Sequence, residues 1–416
     1  MLTLLLAACN GSDPIDTSTS ADTGTDETTA DTTRAAALSM TRIKAHVDLL
    51  ASDDFAGRTP GSEGHTAARE YILAELLDMG LSPIGAEDYV HPFPLSLDED
   101  RFTFDSSGAV VPIVADTGYN LAAVVPGVDP ALSDEYIVLM AHYDHIGVTK
   151  EGEIYNGAYD DITGVAALLE LAGVLAEAPL ARSVLFVITD AEEGGLHGSA
   201  AWLADAGINL DDIAFGLSVD PLGRALLPDY WPLLLLGLER SPTLKARWRE
   251  LAADADMDVT FINRGPIPIV ASDQDSFYDL ADPIPAIWFV SPGMSWYHTT
   301  DDTPETIDYR TIQDHLRFLT TALTDLADDP ERHTDLGEQA LSPEDADEAV
   351  TLLQGVLAST YPTDDERGQI DGFIAELTEN REDPAALQPV YVQTAFFLLL
   401  DMTQAHPGEV PPPFPE

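Results

Sequence analysis

The sequence predicts a three-layer α/β/α domain on a mostly parallel, mixed central sheet, followed by a small helical extension. Three observations carry this. The short apolar runs Tyr136 to Ala141, Val184 to Ile188, Ala214 to Val219 and Ala286 to Val290 have the length of strands buried on both faces. An apolar stretch of helical length, Gly164 to Ala176, lies between the first two, the alternation expected of parallel strands joined by helical crossovers. Beyond about residue 330 such runs stop, and residues 331–416 carry 18 acidic against 3 basic side chains.

Taken in order, Met40 to Leu50 reads as a helix, and Asp53 to Gly61 as a turn-rich loop. Ala68, Ile72, Leu76 and Met79 recur at helical spacing, with Gly80 suited to the helix end. Residues 83–120 are less regular and read as edge strands or a hairpin. The apolar strands and their helix follow. In the acidic extension, Ser342-Pro343-Glu344 combines a capping hydroxyl with a first-turn proline. Two or three helices are expected there, ending in the tail Pro411-Pro412-Pro413-Phe414-Pro415. Their expected role is to pack on the main domain or cover one edge of its site.

The chain has 416 residues, with 73 Asp and Glu against 19 Lys and Arg, a formal net charge of −54. Nucleic acid is thereby excluded as a partner, because no basic surface exists to displace counterions from phosphate. No segment has the roughly 18 consecutive apolar residues of a membrane-spanning helix. The single cysteine, Cys9, rules out an intrachain disulfide. The run Leu6-Ala7-Ala8-Cys9 resembles the lipobox of bacterial lipoprotein signal peptides, although Met1 to Leu6 lacks their opening basic residues. The resemblance implies export and a lipid on Cys9 as the sole membrane attachment, at the bacterial cell envelope. Residues 10–38, rich in Asp, Thr, Ser, Gly and Ala, have too little apolar surface to offset their ordering entropy and read as a tether. The expected division is thus 1–9 signal, 10–38 tether, 39–330 main domain and 331–416 extension.

Potential metal ligands cluster where strands end. The first strand runs into His142-Tyr143-Asp144-His145; Asn156 to Gly164, containing Asp160-Asp161, opens the helix. The second strand leads to Glu192-Glu193, the third to Asp220, and the last to His298 and Asp302. Imidazole and carboxylate donors without thiolate suit catalytic zinc, with cobalt or manganese as substitutes. Five ligands exceed the need of one tetrahedral ion that keeps a water position open. If one carboxylate bridges, they supply three ligands to each of two ions.

The order His-x-Asp, Gly-Ala-x-Asp-Asp-x-Thr-Gly, Ala-Glu-Glu-x-Gly, Asp, and His-Thr-x-x-Asp-Thr resembles the co-catalytic zinc aminopeptidases, the zinc exopeptidase fold with phosphorylase/hydrolase-like architecture. The likeness runs from about residue 40 to 328 and includes Ala56-Gly57-Arg58 and Asn120-Leu121-Ala122. It implies two zinc ions, one held by His142 and Asp220, the other by Glu193 and His298, bridged by Asp160. It also implies a cis Asp160–Asp161 peptide, Glu192 as general base, and Asp144 accepting a hydrogen bond from the far nitrogen of His142. Asp161 and Asp302 fall in supporting positions; His145 and His197 are read as structural. Gln274 stands where many relatives have histidine, which bears on substrate contacts more than on the metals.

The function implied is removal of N-terminal residues from peptides with a free N-terminus. The same fold also serves glutaminyl cyclases, carboxypeptidases and dipeptidases. Cyclases depart from the motif after the bridging aspartate, whereas Asp161, Thr163 and Gly164 are present here. An inactive binding module is disfavoured by the intact ligands and Glu192.

Overall fold

The four apolar runs form the middle of one sheet. The structure, a computed structural model, describes residues 33–84, 88–95, 102–104, 110–112, 115–267, 272–333 and 340–402. Cys9, residues 10–32 of the expected tether and the proline-rich tail lie outside the described residues. In chain order the strands are β1 (Ser82–Pro83), β2 (Val90–Pro94), β3 (Phe102–Phe104), β4 (Val110–Pro112), β5 (Thr117–Val125) and β6 (Tyr136–His142). They continue with β7 (Ser183–Thr189), β8 (Ile213–Val219), β9 (Leu233–Leu236), β10 (Val259–Ile262) and β11 (Ala286–Val290). The helices are α1 (Met40–Leu50), α2 (Glu63–Asp78), α3 (Thr163–Glu177), α4 (His197–Ala204), α5 (Pro242–Asp254) and α6 (Asp275–Tyr278). Then follow α7 (Tyr309–Asp328), α8 (Pro343–Ala358), α9 (Asp364–Asn380) and α10 (Pro384–Phe396).

The main sheet has the order β1-β5-β7-β6-β8-β11-β9-β10, with β2 also on β5, while β3 and β4 form a separate ribbon. Its centre, β7-β6-β8-β11, is parallel, and so is the pair β9-β10. β5 against β7, and β9 against β11, are antiparallel. The two-residue period of β6 sorts its side chains between two cores. Ile137, Leu139 and Ala141 join Ile43 and Val47 of α1, Leu168 of α3 and Leu319 of α7. Val138 and Met140 join Trp202 of α4 and Phe277 of α6 on the opposite face. Both faces are therefore covered, and the strands read as unbroken apolar runs.

The extension makes a third core. Leu341, Leu352, Leu353, Val356, Leu387 and Tyr391 pack against Leu234 and Leu236 of β9, Ile262 of β10 and Trp288 of β11. The cap expected at Ser342 is present, and Asp345 completes it as a capping box. Asp345 also binds inward: Lys245 Nζ lies 3.1 Å from its Oδ1 and Asn263 Nδ2 3.2 Å from its Oδ2.

The tether expectation needs correction at its end. Residues 33–37 are helical, and Arg34 is buried, donating to the carbonyls of Ala178 and Pro179 at 2.9 and 3.0 Å. One basic side chain reaching two orphan carbonyls at the end of α3 is enough to dock a segment whose composition alone argues for a free chain.

Candidate metal centre

The site lies beyond the carboxyl ends of the parallel strands, where open α/β sheets bind ligands. His142 is the last residue of β6, paired with Thr189 at the end of β7. Asp220 follows β8 directly, and the loop after β11 brings in His298 and Asp302. Asp160 and Asp161 precede α3, joined by a cis peptide as the resemblance implies. Asp161 is fully buried; its Oδ2 accepts the His142 N–H at 3.2 Å and its Oδ1 the Gly164 N–H at 3.0 Å. One carboxylate thus ties a strand end to a helix start.

Two groups of potential metal ligands result, and Asp160 belongs to both: His142, Asp160 and Asp220, and His145, Asp160, Glu193 and His298. Asp160 Oδ1 lies 3.1 Å from His142 Nε2, and Asp160 Oδ2 lies 3.2 Å from His298 Nε2. Asp220 Oδ1 is 3.7 Å from His142 Nε2, and Glu193 Oε2 is 2.9 Å from His298 Nε2. Two ligands about 2.0–2.1 Å from one tetrahedral zinc are separated by about 3.3 Å. The nitrogen and oxygen donors and their spacing therefore fit zinc.

Electrostatics agree with that fit. Burial alone lowers the proton affinity of His142, but the charges of Glu192 and Asp220 outweigh it and raise the imidazole well above its usual range. His298 is raised in the same way, against burial, by Glu193 and Asp160. Burial pushes Glu193 up, yet the adjacent His298 and His145 bring it down to about 2. Asp160 also falls well below the carboxylate range, because hydrogen bonds from His142 and His298 outweigh burial. Burial dominates at Glu192 and, helped by Asp220 and Glu193, holds its carboxyl well above the usual range. Such a crowd of buried carboxylates calls for compensating charge, which divalent ions held by these residues would supply beyond what the imidazoles can.

All five expected ligands converge, and Glu192 stands beside them, its Oε2 3.9 Å from His142 Nε2 and its side chain 13% exposed. Asp144 differs from expectation. His142 Nδ1 lies 3.1 Å from the Asp144 backbone carbonyl and 3.6 Å from its carboxylate, too far for a hydrogen bond to the latter. The carboxylate instead accepts the N–H groups of Glu192 at 3.0 Å and Glu193 at 3.4 Å. The chain turns after β6, so Asp144 points across to the β7 loop rather than back along its own strand. Asp302 is fully buried and accepts the N–H groups of Tyr159 at 2.8 Å and Asp160 at 3.2 Å. His145, read as structural from the sequence, sits inside the second group of ligands.

Arg58 is a further participant. Its buried guanidinium donates to the carbonyls of Tyr143, Leu50, Asn156 and Gly157 at 2.6–3.0 Å, joining the two ligand-bearing loops. The resemblance includes Arg58 within Ala56-Gly57-Arg58, but an arginine in a turn-rich loop does not by itself signal this task. Gln274 is fully buried and belongs to neither ligand group, while its neighbour Ser272 donates to Asp220 Oδ2.

Residues 120–323 match the family described as Peptidase family M28. The chain carries an M28 metallopeptidase domain. Its fold is that of the zinc aminopeptidase of Bacillus subtilis, with a TM-score of 0.55 at 14% identity over 73% of this chain and 98% of that one. An aminopeptidase from Aneurinibacillus sp. strain AM-1 superposes with a TM-score of 0.54 at 18% identity, covering 74% of this chain and 98% of the other. A Bacteroides thetaiotaomicron glutaminyl cyclase bound to N-acetylhistamine gives 0.51 at 18% identity, covering 69% and 98%. Among curated relatives, a vacuolar membrane protease of Coprinopsis cinerea is 30% identical over 156 residues, 36% of this chain and 14% of that protein. A probable zinc metalloprotease of Pyricularia oryzae is 29% identical over 170 residues, 38% of this chain and 30% of that protein. The match thus spans less than a third of either relative. The matched family is described as one of peptidases, and the donors gathered here fit zinc. Among the described residues, no helix is long and apolar enough to cross a membrane.

Proposed function

We propose that this chain is an aminopeptidase that removes N-terminal residues from peptides with two zinc ions and Glu192 as general base. His142 and Asp220 would hold one ion, Glu193 and His298 the other, and Asp160 would bridge them. The observation that carries this reading is Asp160 itself, whose two oxygens face different imidazoles at 3.1 and 3.2 Å. When bound, the ions supply acidification of a water and polarisation of the scissile carbonyl. Glu192 accepts the proton released by that water and passes it to the leaving amine. Its partial exposure leaves it open to the substrate. Asp144 orients Glu192 and Glu193 by binding both their N–H groups. The surplus carboxylates favour a substrate ammonium, and hence a free N-terminus, over an acylated one. The proposed domain limits are 39–330 for the peptidase, with residues 33–37 docked on it through Arg34, and 331–416 for the extension, whose core is shared with β9, β10 and β11. The Leu-Ala-Ala-Cys run supports export and lipidation at Cys9; membrane fractionation of the full chain beside Cys9→Ser tests this, and unchanged partitioning would refute it.

The test is cleavage of amino-acyl nitroanilides and N-acetylated peptides, with and without chelator, beside Glu192→Gln. The expected result is chelator-sensitive cleavage of free N-termini alone, falling about 10²–10⁴-fold in Glu192→Gln while two zincs per chain are retained. A single bound zinc with cyclisation of N-terminal glutamine would replace this reading by the cyclase one.

A further inference from the structure

His145 lies deep in the site, 1% exposed, and the proposed reaction leaves it without a task. Its ring is held from several sides. Its backbone N–H reaches the Arg58 carbonyl at 3.4 Å, and its ring meets His298 edge-on with centroids 5.6 Å apart. Gly157, at φ +57°, lies so close that a Cβ there would come within 2.5 Å of the imidazole. A glycine is needed at this position both for its left-handed backbone and for the approach of that backbone to the ring.

The distances distinguish two roles. His145 Nδ1 lies 2.6 Å from Glu193 Oε1 and 3.9 Å from Asp160 Oδ2. Ligands sharing one zinc would stand about 3.3 Å apart, so 2.6 Å is a charge-assisted hydrogen bond rather than shared coordination. An ionised carboxylate only accepts, which places the proton on Nδ1 of His145. Glu193 Oε1 is then engaged, and the other oxygen, Oε2, is the one that faces His298 at 2.9 Å.

We propose that His145 is a positioning residue for Glu193, engaging one carboxylate oxygen so that the other alone ligates the second zinc. The inference rests on the two-zinc reading above. Hydrogen-bond partners of metal ligands typically govern metal affinity by about 10–100-fold.

The experiment is a competitive zinc titration of the full chain, first stripped of metal, against a chromophoric chelator. His145→Phe keeps a ring against Gly157 but cannot donate; His145→Asn keeps an N–H donor near the place of Nδ1. The expected result is two zincs in the wild type, with the second bound about 10–100-fold more weakly in His145→Phe and restored to within about threefold in His145→Asn. Equal thermal unfolding of the metal-free proteins would separate this from a loss of fold. Wild-type affinity for both zincs in His145→Phe would overturn the proposal. So would loss of the second zinc in both variants, the mark of a direct ligand. Should His145→Phe not fold, imidazole ¹⁵N spectra of the zinc-loaded wild type decide: a retained Nδ1 proton on His145 supports the role, and its loss overturns it. One zinc in the wild type would instead overturn the two-zinc reading, and this inference with it.

Discussion

Arg224 donates to Asp302 Oδ1 at 2.7 Å, both side chains almost wholly buried, and so binds the loop after β8 to the loop after β11. The guanidinium also stacks on Tyr159 and Trp296, with centroid distances of 4.5 and 4.8 Å. Because Asp302 accepts the N–H groups of Tyr159 and Asp160, the pair sets the backbone that presents the proposed bridging ligand.

Removing either partner leaves a buried charge uncompensated. Arg224→Met is therefore expected to cost about 3–5 kcal/mol of stability, measured by urea unfolding at saturating zinc. Adding Asp302→Asn removes the orphaned charge, so the double variant should lose less than the sum of the two single variants. Additive losses would show that the two side chains act independently.

The extension should be an obligate part of the fold. Without α8–α10, Leu234, Leu236, Ile262 and Trp288 lose their apolar cover, and Lys245 loses its buried partner Asp345. A chain ending at residue 333 is expected to aggregate or elute as large oligomers in size-exclusion chromatography, since the uncovered patch is continuous. A soluble monomer with unchanged unfolding would sink this.

His315 supplies a pH dependence away from the metals. Its Nδ1 lies 2.9 Å from Ser291 Oγ, and burial pushes its proton affinity down to about 3. Between that value and the unfolded value of about 6.5, the unfolded chain binds a proton that the folded chain refuses. Stability is thus lost as pH falls from about 6.5 towards 3, on the order of 2 kcal/mol between pH 7 and pH 5. Urea unfolding of His315→Gln over that interval should show a loss smaller by about this amount; an identical pH slope would refute the assignment.

Much of the fold was legible because the central strands are buried on both faces and therefore read as apolar runs. The flanks were less so. β9 and β10 are four residues each and too short to stand out, while α5 between them shows only a narrow apolar stripe, Leu244, Trp248, Leu251 and Ala252. The helix α7 did carry a readable signal, Asp308 as cap followed by Ile312, Leu316, Leu319 and Leu323, which the reading passed over. In the site, the ligand types and their placement at strand ends pointed to a metal. Separating Glu192 from Glu193 rested on resemblance, since adjacent glutamates look alike in a sequence.

By itself, then, the sequence determined the parallel strand core, the excess of negative charge and the set of imidazole and carboxylate groups at the strand ends. These follow from residue type and local period, which act along the chain. Only the tertiary structure decided that Asp144 serves Glu192 and Glu193, that His145 meets Glu193, that Arg224 pairs with Asp302, and that Arg34 docks the start of the domain. Each of these contacts joins residues 48 or more positions apart, or depends on how a loop turns after its strand ends. No local propensity encodes such a direction; it is set when the packed sheet brings the loops together.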